Sequence, residues 1–145
     1  ATAGAIELEI SGASVRVPVK MVEMKELLEQ ADAISLHVPA QKDGKPVLGV
    51  DELALVKPGA VIVNTARGGS IDEDALLAAL KSGRIRGAAL DVFMNEPEPR
   101  VDLLQQPDLS LTPHIGAATA EAQGRVGDEL VEQIVNWRSS VQVNG

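Results

Sequence analysis

Apolar and polar positions alternate at the start of the chain and then cease to do so. Ile6, Leu8 and Ile10 are separated by Glu7 and Glu9, and beyond Ser11-Gly12-Ala13 the residues Val15, Val17 and Val19 alternate around Arg16. Period two on both sides of a glycine-containing turn predicts a β-hairpin within residues 1–20. From Met21 the pattern becomes strand, loop, helix, repeated. MKELLEQA (24–31) predicts a short helix with Leu27, Leu28 and Ala31 on one side, and AISLHVP (33–39) an apolar strand stopped by Pro39. DELALV (51–56) predicts another short helix, with Asp51 as its N-cap. Lys57-Pro58-Gly59 reads as a turn, because proline presets φ and glycine accepts positive φ. AVIVNTA (60–66), β-branched and almost wholly apolar, predicts a strand covered on both faces.

Ser70 and Glu73 have capping-box spacing ahead of a helix that runs to about Lys81, with Leu76, Leu77 and Leu80 at helical intervals and Gly83 as its stop. GAALDVF (87–93) predicts a further buried strand, 94–108 a polar, proline-bearing loop, and LSLTP (109–113) a last strand. Thr119 is placed to cap a long final helix with Val126, Leu130, Ile134 and Trp137 as an apolar stripe. Strands alternating with helices through short loops mean βαβ units and a parallel sheet, so the fold class is α/β. The expected organisation is an extension of unclear origin over 1–20 followed by one partial domain over 21–145.

Composition narrows the partners. At 145 residues the chain can bury one real core. A net charge of −8 argues against a nucleic-acid backbone or an anionic membrane as the main partner. Phe93 and Trp137 are its only aromatic residues, so stacking platforms for single strands are not expected. With no cysteine, disulfides and thiolate metal sites are excluded, no metal is expected, and a reducing cytoplasm is the expected compartment. No apolar run is long enough to cross a bilayer, and ATAGAIELEI lacks the basic and apolar regions of a secretory leader.

In an open parallel sheet, ligands bind beyond the carboxyl ends of the strands. Three predicted strands deliver polar groups there: Asn64-Thr65-Ala66-Arg67-Gly68-Gly69 after the first, Asp91 and then Asn95-Glu96-Pro97 after the second, and Pro113-His114-Ile115-Gly116 after the third. A guanidinium fork fits a carboxylate, an imidazole can give a proton to a carbonyl oxygen as hydride arrives, and a carboxylate on the second ring nitrogen fixes the tautomer. Those are the parts of a 2-keto acid reduction, or of the reverse oxidation. Singly, each has a plainer reading. Arg67 could be a surface or capping arginine, Glu96 a solvated loop acid, His114 a backbone-bonded imidazole, Asp91 a buried acid capped by donors, and Gly68-Gly69 a turn.

Four segments, ADAISLHVPA, KPGAVIVNTARGGSIDEDALLAAL, GRIRGAALDVFMNEP and LTPHIGAATAEAQGRV, resemble the D-isomer-specific 2-hydroxyacid dehydrogenases in order and spacing over about 21–138. TAEAQ is most similar to the phosphoglycerate branch. The resemblance implies an incomplete Rossmann-like, doubly wound sheet and an NAD-dependent oxidoreductase for a small 2-hydroxy or 2-keto acid, phosphoglycerate-like or hydroxypyruvate/glyoxylate-like. It implies that Arg67 binds the substrate carboxylate, His114 is the acid/base and Glu96 pairs with it. It places Thr65, Ala66 and Arg67 on the nicotinamide side, Asp91 on the carboxamide, and His114, Ile115, Gly116 and Ala117 over the ring. His37, Val38 and Pro39 would flank the cofactor, and cofactor-domain dimers are expected.

No G-x-G-x-x-G occurs in the chain, so the backbone cradle for a pyrophosphate is missing, as is the family's substrate domain. The expectation is the carboxyl-terminal half of a cofactor domain, a piece of a longer enzyme that is inactive alone. A non-catalytic dinucleotide-binding or dimerisation module, akin to dehydrogenase-like corepressors, is the competing reading. In the doubly wound order the missing strands would lie between a strand near 19–22 and the one at 33–39. That leaves 33–39 as an open edge, for which the hairpin or a second copy is the expected cover.

Overall fold

A computed structural model describes residues 4–116 and 118–142. Strands β1 (Gly4–Ile10) and β2 (Ala13–Val19) form an antiparallel hairpin with Leu8 opposite Val15 and Ile6 opposite Val17. Ser11 and Gly12 both have positive φ, 52° and 82°, which is the two-residue turn that matches strand twist. Then follow α1 (Met24–Gln30), β3 (Ala33–Leu36), α2 (Val50–Leu55), β4 (Val61–Asn64), α3 (Glu73–Lys81), β5 (Gly87–Leu90), α4 (Val101–Leu104), β6 (Leu109–Leu111) and α5 (Ala120–Gln142). Strands β3 to β6 form one parallel sheet in the order β3-β4-β5-β6, in which each crossover steps one strand further in the same direction. The α/β class and parallel sheet expected from the alternation are therefore present.

The sheet has one well-covered face. Ile34, Leu36, Ile62, Asn64, Ala88 and Leu90 are buried together with Leu28 of α1, Leu53 of α2 and Leu76, Leu77 and Leu80 of α3. Burial of each leucine contributes about 1.5–3 kcal/mol. The other face is half-open: Val61, Val63 and Ala89 are only partly buried, and Ala33 and Ser35 are exposed. This corrects the expectation of strands covered on both sides. Valine and alanine occupy both faces, so the chain hides an alternation of environment behind uniform apolarity. In α5 the described side chains from Gln123 to Arg138 are exposed. No described helix is long and apolar enough to cross a membrane.

Further local expectations are corrected. The hairpin forms its own two-stranded sheet and does not pair with β3, whose outer edge carries no described strand. No strand occupies 20–22. The N-cap of α2 is Gly49, not Asp51, and Glu52 Oε2 accepts its N–H at 3.0 Å. α3 starts two residues later than the capping-box reading required. Asp72 is its cap, accepting the Ala75 N–H at 3.0 Å, and Ser70 lies in a tight turn (Gly68–Ser70) before it. The loop expected at 94–108 contains α4, pinned to α3 by Arg100, which bonds Asp74 at 2.6 Å and Asp102 at 2.7 Å. Other punctuation is as expected. Gly59 and Gly83 have positive φ, and Thr119 Oγ1 accepts the Ala122 N–H at 3.1 Å to cap α5.

Candidate active site

The carboxyl ends of β4, β5 and β6 are bound laterally past the last strand residue: Asp91 N–H donates to Asn64 O and Thr112 N–H to Leu90 O, both at 3.0 Å. Beyond β4, the buried Asn64 shapes the next turn. Its Oδ1 accepts Ala66 N–H at 3.1 Å and its Nδ2 donates to Arg67 O at 2.8 Å. Thr65 and Arg67 are thereby left exposed while Ala66 is buried. Arg67 Nη1 donates to Ala66 O at 2.6 Å, and its side chain shares a cavity of about 80 Å³ with Gln41 and Lys45. The next residue, Gly68, lies directly on the Phe93 carbonyl. A Cβ there would come within 1.9 Å of Phe93 O, so no other side chain fits without displacement.

Asp91, 6% exposed, faces the β6 end. Its Oδ1 accepts Thr112 Oγ1–H at 2.5 Å and Ile115 N–H at 3.0 Å, and its Oδ2 accepts Gly116 N–H at 3.0 Å. Burial pushes its pKa up, but those three donors and the nearby His114 outweigh it and hold the carboxyl below the usual range. The donors stand on both sides of His114, which adopts left-handed backbone with φ 55°. Gly116 leaves just enough room, since a Cβ would be 3.1 Å from Asp91 Oδ2.

Glu96 completes the pair. Its Oε1 accepts Phe93 N–H at 2.9 Å and its Oε2 meets His114 Nδ1 at 2.6 Å. The His114 hydrogen bond, and then the Phe93 N–H, lower the Glu96 pKa against slight burial and the negative Asp91. An ionised carboxylate only accepts, so Nδ1 carries the proton and Nε2 is left as the atom that can exchange one. Both side chains line a cavity of about 180 Å³ with Phe93, Pro97, Pro99 and Pro113.

On β3's side of the same edge, His37 is exposed and its Nε2 lies 2.8 Å from Ser35 Oγ. Val38 is half-buried and Pro39 exposed. Ala117 lies outside the described residues. Glu96 and His114 are in contact, and Asp91 holds Ile115 and Gly116. Among the described residues no hydrogen bond or ion pair joins Arg67 to Glu96 or His114. The Arg67 loop reaches theirs through Gly68 and Phe93. A larger concavity, about 640 Å³, lies elsewhere, lined by residues of α2 and α3, and holds none of these groups.

A model of the "D-isomer specific 2-hydroxyacid dehydrogenase, NAD binding domain" family matches residues 8–116, most of the chain and all of the sheet edge just described. The chain belongs to this family.

Among D-2-hydroxyacid dehydrogenase relatives, the hydroxypyruvate reductase of Thermotoga maritima is 49% identical over 121 residues, covering 81% of this chain and 40% of the relative. The D-3-phosphoglycerate dehydrogenase of Methanocaldococcus jannaschii is 49% identical over 112 residues, covering 77% of this chain and 21% of the relative. A crystal structure of a glyoxylate reductase from Paecilomyes thermophila superposes with a TM-score of 0.67 at 46% identity, over 72% of this chain and 32% of that one. The chain thus spans well under half the length of the relatives it matches.

Three residues that shape this edge were given no site role from the sequence: Asn64 and Thr112, with the contacts above, and Glu73, whose Oε1 accepts the Met94 N–H at 2.8 Å. Each had a signal. Asn64 is a polar amide ending an apolar run, Thr112 flanks the proline before His114, and Glu73 sits among three consecutive acids where a helix needs one cap.

Proposed function

We propose that the chain supplies the catalytic half of the cofactor domain of an NAD-dependent D-2-hydroxyacid dehydrogenase. The reading rests on one observation: an ionised Glu96 holding His114 Nδ1 at 2.6 Å on the ligand-binding edge of the sheet. The nicotinamide half of NAD fits the residues present. Thr65 is exposed at the end of β4, Gly116 allows close approach of the last loop, and three of the roughly four lone-pair sites of Asp91 are taken, leaving one for a carboxamide N–H. Held there beside Asp91, Thr65 and Gly116, the nicotinamide would supply the hydride-transfer chemistry.

The other steps belong to this chain. Arg67 binds the substrate carboxylate through its guanidinium fork, in a cavity shared with Lys45 and lined by no acid. His114 donates its Nε2 proton to the substrate carbonyl oxygen during reduction and removes it from the hydroxyl during oxidation. Glu96 keeps the ring in register and stabilises its cationic form. Thr65, Ala66, Ile115 and Gly116 border the ring, and His37, Val38 and Pro39 flank the rest of the dinucleotide. The substrate is a small 2-hydroxy or 2-keto acid, phosphoglycerate-like or hydroxypyruvate/glyoxylate-like. A cytoplasmic homo-oligomer is the proposed setting.

The test is NADH fluorescence titration of this chain beside a longer one that carries a glycine-loop half upstream. Binding only by the longer chain is expected, together with 2-keto acid reduction by the full protein. There, His114→Ala should lower kcat by about 10²–10⁴-fold. Tight NADH binding without any 2-keto acid turnover by the full protein would instead support a binding module.

A further inference from the structure

Glu73 occupies the first helical position of α3, yet it is not the cap, because Asp72 fills that role. It is 5% exposed, and among the described residues no cation pairs with it. A buried carboxylate is retained only where it is hydrogen-bonded, and the helix N-terminus favours its charge. Its hydrogen bond is long-range: Oε1 accepts the Met94 N–H at 2.8 Å. The peptide it holds, between Phe93 and Met94, is the one that Gly68 touches. A Cβ on Gly68 would be 1.9 Å from Phe93 O and 2.7 Å from Met94 N. The preceding peptide N–H, that of Phe93, donates to Glu96 Oε1 at 2.9 Å. Two adjacent peptides therefore meet the loop of Arg67, the carboxylate of Glu96 and, through Glu96, the ring of His114.

We infer that Glu73 is a positioning residue: it fixes the Phe93–Met94 peptide so that Glu96 holds His114 and the Arg67 loop seats against the same backbone. Its significance for turnover rests on the proposed dehydrogenase reading, whereas its effect on geometry does not. Glutamate suits the task because it reaches from α3 to the far loop. Aspartate keeps the charge but is a methylene too short, and glutamine keeps the reach and an acceptor oxygen without the charge.

The experiment is NMR on this chain, which requires no turnover and so can fail independently of that reading. Two signals are followed: hydrogen exchange of the Met94 amide, and the titration of the Glu96 side-chain carboxyl carbon, which faces His114 and Asp91. In the unmutated chain the Met94 amide is protected and Glu96 titrates below the ordinary glutamate range. In Glu73→Asp, Met94 exchange quickens by roughly 10- to 100-fold and the Glu96 titration moves up. In Glu73→Gln both stay close to the unmutated values. An unprotected Met94 amide in the unmutated chain overturns the inference whatever the variants do. So does a folded Glu73→Asp with both signals unchanged, or a folded Glu73→Gln as disturbed as the aspartate variant.

Discussion

Asp91 holds the Thr112 hydroxyl before His114 and the Ile115 and Gly116 N–H groups after it, and the consequence is a left-handed residue held where a strand has just ended. Asparagine is nearly isosteric but turns one acceptor into a donor facing an N–H or hydroxyl. Asp91→Asn is therefore expected to cost about 1–3 kcal/mol in urea denaturation. The pH dependence follows from the direction of the shift. The folded carboxyl titrates below its ordinary 3.8, so its stabilisation is full above that value and lost as pH falls through the lower folded one. The gap between the two proteins should accordingly close in acid, and a gap constant at all acidic pH would exclude the ionised clamp. Gly68 and Gly69 make a second contrast. Gly68→Ala drives a methyl into the Phe93 carbonyl and is expected to cost about 1–3 kcal/mol or more. Gly69 has open space around its Cβ position, and its alanine variant should stay within about 0.5 kcal/mol of the parent.

At the level of elements, the start of α3 separates two readings of the same acids. If Asp72 is the cap, Asp72→Ala should lower stability by about 1 kcal/mol. Ser70→Ala should be close to neutral, because the buried Ser70 hydroxyl has no hydrogen-bond partner among the described residues. Equal losses at both positions, measured by thermal denaturation, would revive the capping box. The chain made its strands legible because apolar runs bounded by glycine and proline leave little else for β3 to β6 to be. It hid the caps of α2 and α3, where several suitable residues stand together, but not Thr119 of α5. The placement of Arg67, Glu96 and His114 was legible too, since strand ends in a parallel sheet all point to one edge. Asn64, Thr112 and Glu73 were not: their partners are groups at the turn, on Asp91 and at Met94, which only the assembled sheet brings within reach.

Among the described residues, apolar surface is exposed on the Ile6, Leu8, Val15 and Val17 face of the hairpin, on the half-open face of the sheet, and on α5 at Val126, Leu130, Ile134 and Trp137. A helix with so many exposed apolar side chains gains little from burial in water. Hydrogen exchange should be slowest in β4 and β5, fast in α5 and the hairpin at low concentration, and slower in both as concentration rises. Sedimentation velocity should show the matching self-association. Slow exchange in α5 at every concentration would mean that the helix has its cover within one chain. The free edge of β3 carries a different implication. The Glu96–His114 pair stands beyond β5 and β6, whereas the described sheet can be extended sideways from β3 or β6. On the proposed dehydrogenase reading, the β3 edge is a seam at which a dinucleotide-gripping half could be exchanged for another by recombination. Cofactor preference could then change hands while the acid–base chemistry is inherited intact.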